Sequence, residues 1–293
     1  MIQQPITSNS QSGSTPGSKK LVAWMLCLAL LAGSICLFYP RISALQACLL
    51  TGDHREQHYP WAHFLSQSLA QGHLPWWTWK IHCGFPLLAE GQIGGFYPPN
   101  LLLHGIFGAE TGYSLNFLLH VFLSGLFFLL YCRQIKLLWP AAAVAALSYL
   151  YGNAFGGAFY NITSLKTLCW FPTTLFLIDK LFEKKRLRFG FLLGVVFALQ
   201  LLVGYLQIAL YSIAFSGLYF LLKFFLRDRA AEQGKGAGKA WTGAFVALAV
   251  MVLLFLPQFL ATFPLSRLSA RVGLEESFAY IGSFPPWGLV TLL

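Results

Sequence analysis

Between Lys20 and Pro40 the chain runs through nineteen residues without a charge, LVAWMLCLALLAGSICLFY. That length matches the roughly 20 residues an α-helix needs to cross a bilayer. The feature repeats. Apolar stretches near 113–132, 137–153, 166–182, 189–204, 206–222 and 241–262 make seven candidate spans with the first, and an eighth begins near Trp287. In lipid every backbone N–H and C=O must be bonded within the structure, so stretches of this kind fold as helices. Only 10% of the residues are charged, against about 25% in soluble domains. The expected fold is an all-α polytopic membrane protein with seven to eight transmembrane helices.

The net charge of +10 raises the question of a nucleic-acid partner. Its distribution argues against one. With the N-terminus inside, alternate connections place 14 of the 20 Lys and Arg on the inner side and 6 on the outer, as the positive-inside rule requires. Residues 1–18 are Ser/Gly/Pro-rich and read as a disordered cytoplasmic tail, followed by a membrane domain over 19–293. The first span resembles a signal peptide. Pro40 and Arg41 follow it without an A-x-A site, so it reads as uncleaved. The last apolar stretch stops at Leu293 before completing a span, which predicts an N-terminal fragment of a longer protein.

This topology turns residues 40–112 into one large outer loop, long enough to expect structure and function in it. All seven histidines fall in the loop or just beyond it, with Asp53, Glu56, Glu90 and Glu110. From Glu56 to Leu69 the apolar positions recur at helical spacing, and Pro60 suits a first turn. A short amphipathic helix on the membrane surface is expected, with Trp61, Trp76, Trp77 and Trp79 as interface anchors. Asp53 stands just before it and has two readings. One is a carboxylate favoured by the helix dipole, acting as a cap. The other is a group at the membrane boundary that deprotonates an acceptor hydroxyl, or that holds a divalent metal (Mg or Mn) with Glu56. His54 and His58 are four apart, but no third ligand follows at a diagnostic spacing, so polar interface residues are expected.

Elsewhere the motifs are quieter. The six cysteines include no C-x-x-C pair and read as small buried hydrophobes. The stretch CGFPLLAEGQIGGFYPPNLLLHGIFG is turn-rich and carries no phosphate-loop pattern. Lys166 lies at the outer end of a span, and Arg267 and Arg271 are four apart. Such cations either pair with a lipid phosphate or snorkel to the interface. Asn161-Ile162-Thr163 matches a glycosylation acceptor, and Gln207 and Tyr211 sit four apart near the outer end of the sixth span, where polar groups normally face the bundle.

Gly52-Asp53, Gln57-His58-Tyr59-Pro60-Trp61, Gly72-His73-Leu74-Pro75-Trp76-Trp77, Gly84-Phe85-Pro86 and Phe96-Tyr97-Pro98-Pro99-Asn100 occur in that order. This run resembles the first outer loop of bacterial YfhO-family membrane proteins. NITSLKTLCWFP, GYLQIALY and LPQFLATFPLSRLSARVG continue the likeness over about residues 20–293. The chain departs from the pattern at Tyr205, where the family often has histidine, and at Thr78, where asparagine is common. The family is in turn similar to the C-type glycosyltransferases, which use polyprenyl-phosphate sugars at the outer face. That resemblance implies a bacterial cytoplasmic-membrane enzyme with a cell-envelope acceptor, and a catalytic role for Asp53. It implies lipid-phosphate binding by Lys166, Arg267 and Arg271. Substrate contacts would come from Glu56, Gln57, Tyr59, Trp61, Trp76, Gln92, Asn161 and Gln207. A transporter or flippase of lipid-linked sugars and a non-catalytic scaffold are the rival readings.

Overall fold

The computed structural model describes residues 16–81, 83–152, 161–226 and 235–268, and every regular element among them is helical. Helix α1 (Pro16–Phe38) is followed by the short α2 (Pro40–Ser43). A π-helical turn over His54–His58 leads into α3 (Tyr59–Ala70), and α4 (Leu87–Glu90) precedes the long α5 (Pro98–Gln134). Then come α6 (Trp139–Tyr151), α7 (Ile162–Leu168), α8 (Phe171–Lys184), α9 (Leu187–Leu202), α10 (Leu206–Phe225) and α11 (Lys235–Arg267).

Among the described residues four helices are long and apolar enough to cross a membrane: Ser18–Phe38, Pro98–Gln134, Leu206–Phe225 and Gly238–Arg267. Their outward faces are apolar, with Met25, Leu26, Phe245, Leu253 and Leu260 all exposed. Water solvates such a surface poorly and a bilayer solvates it well. Helices α6, α8 and α9 have 13, 14 and 16 residues. At 1.5 Å per residue they reach roughly 20–24 Å, less than the ~30 Å hydrocarbon core.

Two expected spans are divided differently in the structure. The stretch 166–182 breaks near Cys169 and Trp170 into α7 and α8, because Pro172 has no N–H to donate and takes a first-turn place in a new helix. The stretch 113–132 belongs to a helix that starts at Pro98 and bends at Gly108, whose φ of 77° is non-helical. The arm 98–107 lies against α3, and the arm 109–134 enters the bundle. The stretch near Trp287 lies outside the described residues, as does Arg271.

Two cores hold the bundle. Leu31, Val121, Leu129, Ala142, Ala146 and Leu150 pack α1, α5 and α6 together. Ile178, Leu181, Leu193, Phe220 and Ala247 pack α8 to α11. The α9–α11 crossing is close: a Cβ on Gly190 would come within 2.3 Å of the Gly243 carbonyl oxygen, and one on Gly194 within 2.4 Å of that of Ala247. Small residues four apart allow helix backbones this near in lipid.

The loop 40–112 forms a packed layer at one end of the bundle. Trp61, Leu65, Leu87 and Ile93 are its core. Trp61 is therefore buried rather than an interface anchor, because its face of α3 turns toward α4. Trp76, Trp77 and Trp79 are exposed, on a tight hairpin in which Thr78 and Phe85 exchange both backbone bonds at 2.9 and 2.8 Å. Two of the contacts that fasten the layer to the bundle lie on its α9–α11 side. Gln258 on α11 donates to the Leu88 carbonyl at 3.0 Å. Gly204, at φ 93°, presses on Gly91, and a Cβ there would meet the Gly91 oxygen at 2.2 Å.

Candidate functional site

The π-helical turn widens the chain just before α3 and buries His54 and His58 while leaving Asp53 and Glu56 exposed. His54 Nδ1 and the Tyr113 hydroxyl are hydrogen-bonded at 2.7 Å. Asp53 makes no cap: it has helical φ/ψ and its side chain bonds no N–H of the turn. The cap reading is thereby replaced. Its Oδ2 instead accepts from Asn161 Nδ2 at 3.4 Å, across 108 residues of sequence. Asn161 is the residue that caps, its Oδ1 accepting from the N–H groups of Thr163 and Ser164 at 3.0 and 3.3 Å.

One turn on, Lys166 is only 4% exposed, so it is no snorkelling anchor. The short α7 packs inward against α5 and carries the lysine with it. Its Nζ donates to Asn100 Oδ1 at 3.0 Å, an oxygen that also accepts from Asn116 Nδ2 at 2.8 Å. Asn100 is held in turn by donating to the carbonyls of Ile93 and Gly94 at 3.0 and 3.2 Å. Deeper still, His120 Nδ1 bonds the Asn116 carbonyl at 2.7 Å, and the Tyr97 hydroxyl meets His120 Nε2 at 2.6 Å. Trp170 Nε1 donates to Tyr97 at 2.9 Å. Among the described residues Lys166 takes part in no ion pair, whereas Lys180 pairs with Glu183 and Lys223 with Asp179. Burial lowers the Lys166 ammonium to about 7, because a buried cation without a counter-charge is costly, and proteins keep such groups where they are used.

A cavity of about 10 Å³ lies between these elements, lined by His58, Trp61, Gln92, Asn100, His104 and Lys166 among others. That is about the room one water-sized sphere takes. His58 Nε2 is buried without a hydrogen-bond partner, as is Asn116 Oδ1. Burial first, then the charge of Lys166 and the neighbouring His54, hold the His58 imidazole down to about 3, while a hydrogen bond with Asn161 works the other way. His58 is therefore neutral at physiological pH.

Of the residues expected from the sequence, Asp53, Asn161, Gln92, Trp61 and Lys166 come together here. Gln57 and Tyr59 are half-buried on the same turn, Tyr59 edge-on to Tyr113 at 5.6 Å. Three do not join. Trp76 stands out on the hairpin, exposed. Gln207 is exposed and donates to Tyr211 at 3.0 Å, so this pair faces away from the bundle. Arg267 ends α11 with its guanidinium 4.6 Å over the Phe263 ring. His54 and His58, expected as polar interface residues, are buried instead, because the π-helical turn rolls them inward; Asn116 and His104 were not singled out in the sequence, and Asn100 only as part of a motif. Asn100 closes the Phe96–Asn100 motif, which was the available signal. Asp53 and Glu56 are both exposed, and among the described residues no three of His, Cys, Asp and Glu gather as metal ligands, so the pair alone makes a poor fit for the divalent metal expected there.

Glu90 was also passed over. Burial pushes its carboxyl up to about 7 from 4.5, against the N–H groups of Gln92 and Ile93 that hold its charged form. Between pH 4.5 and 7 the folded chain keeps a proton here that the unfolded chain releases, so stability falls as pH rises through that window. Glu90→Gln removes this loss. It is expected to raise stability by on the order of 2 kcal/mol at pH 8 and hardly at all at pH 4. Thermal unfolding in detergent at both pH values checks this; an equal gain at both would reject it.

No family model matches the chain, and no curated protein or solved structure does so either.

Proposed function

We propose that this chain is the membrane domain of a glycosyltransferase of the C type. It moves a sugar from a polyprenyl-phosphate donor to a cell-envelope acceptor at the outer face of a bacterial cytoplasmic membrane. On this reading the helices make seven to eight spans with the N-terminus inside, and the layer over 40–112 is extracytoplasmic. The observation that carries the proposal is the buried Lys166, without a carboxylate partner among the described residues, beside the Asp53–Asn161 contact.

Asp53, exposed at the edge of this cluster, takes the proton from the acceptor hydroxyl as its oxygen bonds to the sugar's anomeric carbon. The bond from that carbon to the phosphate oxygen breaks, and the electron pair leaves with the lipid phosphate. Lys166 stabilises this growing charge, with Arg267 and Arg271 as further cations from the end of α11 and beyond. Gln92, Asn161, Gln57, Tyr59 and Glu56 orient sugar hydroxyls, Trp61 offers its ring face within the cluster, and Trp76 and Gln207 offer outlying contacts. A transporter of lipid-linked sugars is the second reading. It is favoured by Asp179, 3% exposed within the helices and paired with Lys223 at 2.8 Å.

The test is transfer of radiolabel from polyprenyl-phosphate sugars in membranes containing the protein. Asp53→Asn is expected to cut transfer by about 10²–10⁴-fold at equal protein level. Transfer undiminished in the variant would sink the enzyme reading, and movement of donor across the membrane without its consumption would favour the transporter.

A further inference from the structure

The cavity beside Lys166 contains a mismatch. His58 is 4% exposed, and its Nε2 has no partner. Its bond with Asn161 therefore runs through Nδ1. A neutral imidazole that donates from Nδ1 presents a bare lone pair at Nε2, here toward the same small space that Lys166 lines. The lysine has one amide acceptor, Asn100 Oδ1, and an ammonium has three donors. One wall of the space thus offers donors and positive charge, and another offers an acceptor with nothing to accept.

We propose that this cavity takes one anionic oxygen of a phosphate group, and that His58 picks up a proton from solvent when it does so. An anionic oxygen satisfies Lys166 directly. Against the lone pair of His58 it would be repelled, so binding requires a proton at Nε2, which converts the clash into a charge-assisted N–H···O bond. The balance is simple: one anion and one proton enter, and no covalent bond changes. The space admits a single oxygen, so the rest of the phosphate group stays outside it. The choice of phosphate rests on the lipid-phosphate reading above; the coupling to a proton does not.

The surrounding groups set the sign. Lys166 on α7 and His54 on the same turn oppose protonation of His58. Tyr113 and His104 on α5 line the cavity as well. Asp53 faces it through Asn161, and Glu90 stands two residues from Gln92. An anion beside Lys166 cancels the charge that holds His58 neutral, which makes proton and anion binding mutually supporting.

The probe is dimethyl phosphate, a monoanion at every pH used, added to the full chain in nanodiscs in wild-type and Glu90→Gln backgrounds. Calorimetry in two buffers of different ionisation enthalpy reads the proton uptake. About one proton per bound anion is expected at pH 5 to 6, below the value of about 7 near which Lys166 itself titrates, with affinity falling towards tenfold per pH unit in that window. His58→Gln should flatten that dependence to under twofold, and Lys166→Gln should weaken binding at least tenfold. Binding without proton uptake, a pH slope that survives His58→Gln, or no binding at all would overturn the site. The two-buffer measurement on wild type needs no variant, so a misfolded variant does not block the test. Proton-coupled binding without any sugar transfer would count against the transferase alone; intact transfer with proton-free binding would count against this site alone.

Discussion

Replacing Gly194 by leucine will force α9 and α11 apart and leave little folded protein. The Gly194 Cα faces the Ala247 backbone so closely that even a Cβ would sit 2.4 Å from its carbonyl oxygen and 2.8 Å from Val250 Cβ. Neither neighbour is the free end of a flexible side chain. The backbone of α11 would have to move, and Gly190 against Gly243 one turn away holds it in the same register. Moving it strips Ile178, Leu193 and Ala247 of their packing. It also shifts Gln258, which fastens α11 to the loop layer. Overpacking of a tight core costs about 1–3 kcal/mol and occasionally more, and a contact between two backbones belongs at the upper end. Gly217→Leu is the control, since nothing lies within 4 Å of a Cβ there. Size-exclusion recovery and thermal unfolding of both variants check the prediction. Equal recovery of Gly194→Leu and wild type would mean that the crossing is not needed.

Lys166→Met should give the opposite pairing of effects, a more stable protein that has lost its function. The methionine keeps the length of the side chain and removes a charge that no carboxylate balances among the described residues. Asn100 Oδ1 keeps Asn116 Nδ2 as a donor, so no acceptor is orphaned. Replacing buried ionic groups by apolar ones of similar volume often stabilises by about 1–4 kcal/mol. A gain of that order in thermal unfolding, together with at least tenfold weaker binding of a phosphate diester, is expected. Such a gain would mark Lys166 as a group held at the expense of stability for what it does. A clear loss of stability would instead make the lysine a structural strut for Asn100.

Much of this protein was readable from its residues. The helical class and four membrane-length helices appear where apolar stretches predict them among the described residues, since a helix satisfies its own backbone and needs only local composition. The amphipathic α3 and its Pro60 were likewise visible from spacing. Less visible was the break near Cys169, because 166–182 is continuous in hydropathy while Pro172 changes only the hydrogen bonding. The face of α3 was also hidden: nothing in the sequence says that Trp61 turns inward while Trp76 stays out.

The site divides in the same way. Asp53, Asn161, Gln92 and Lys166 could be named as polar groups stranded in an apolar chain. Their convergence could not be, because Asp53 meets Asn161 across 108 residues and Lys166 meets Asn100 across 66. Arg267 and Lys166 looked equivalent as terminal cations, yet one rests on Phe263 and the other is buried against Asn100. Composition by itself determined the helical class and the apolar surface, for those depend on each segment's own backbone and side chains. Only the tertiary structure decided which polar groups share a cavity. That outcome depends on the bend at Gly108 and the inward packing of α7, which bring distant residues within hydrogen-bond reach.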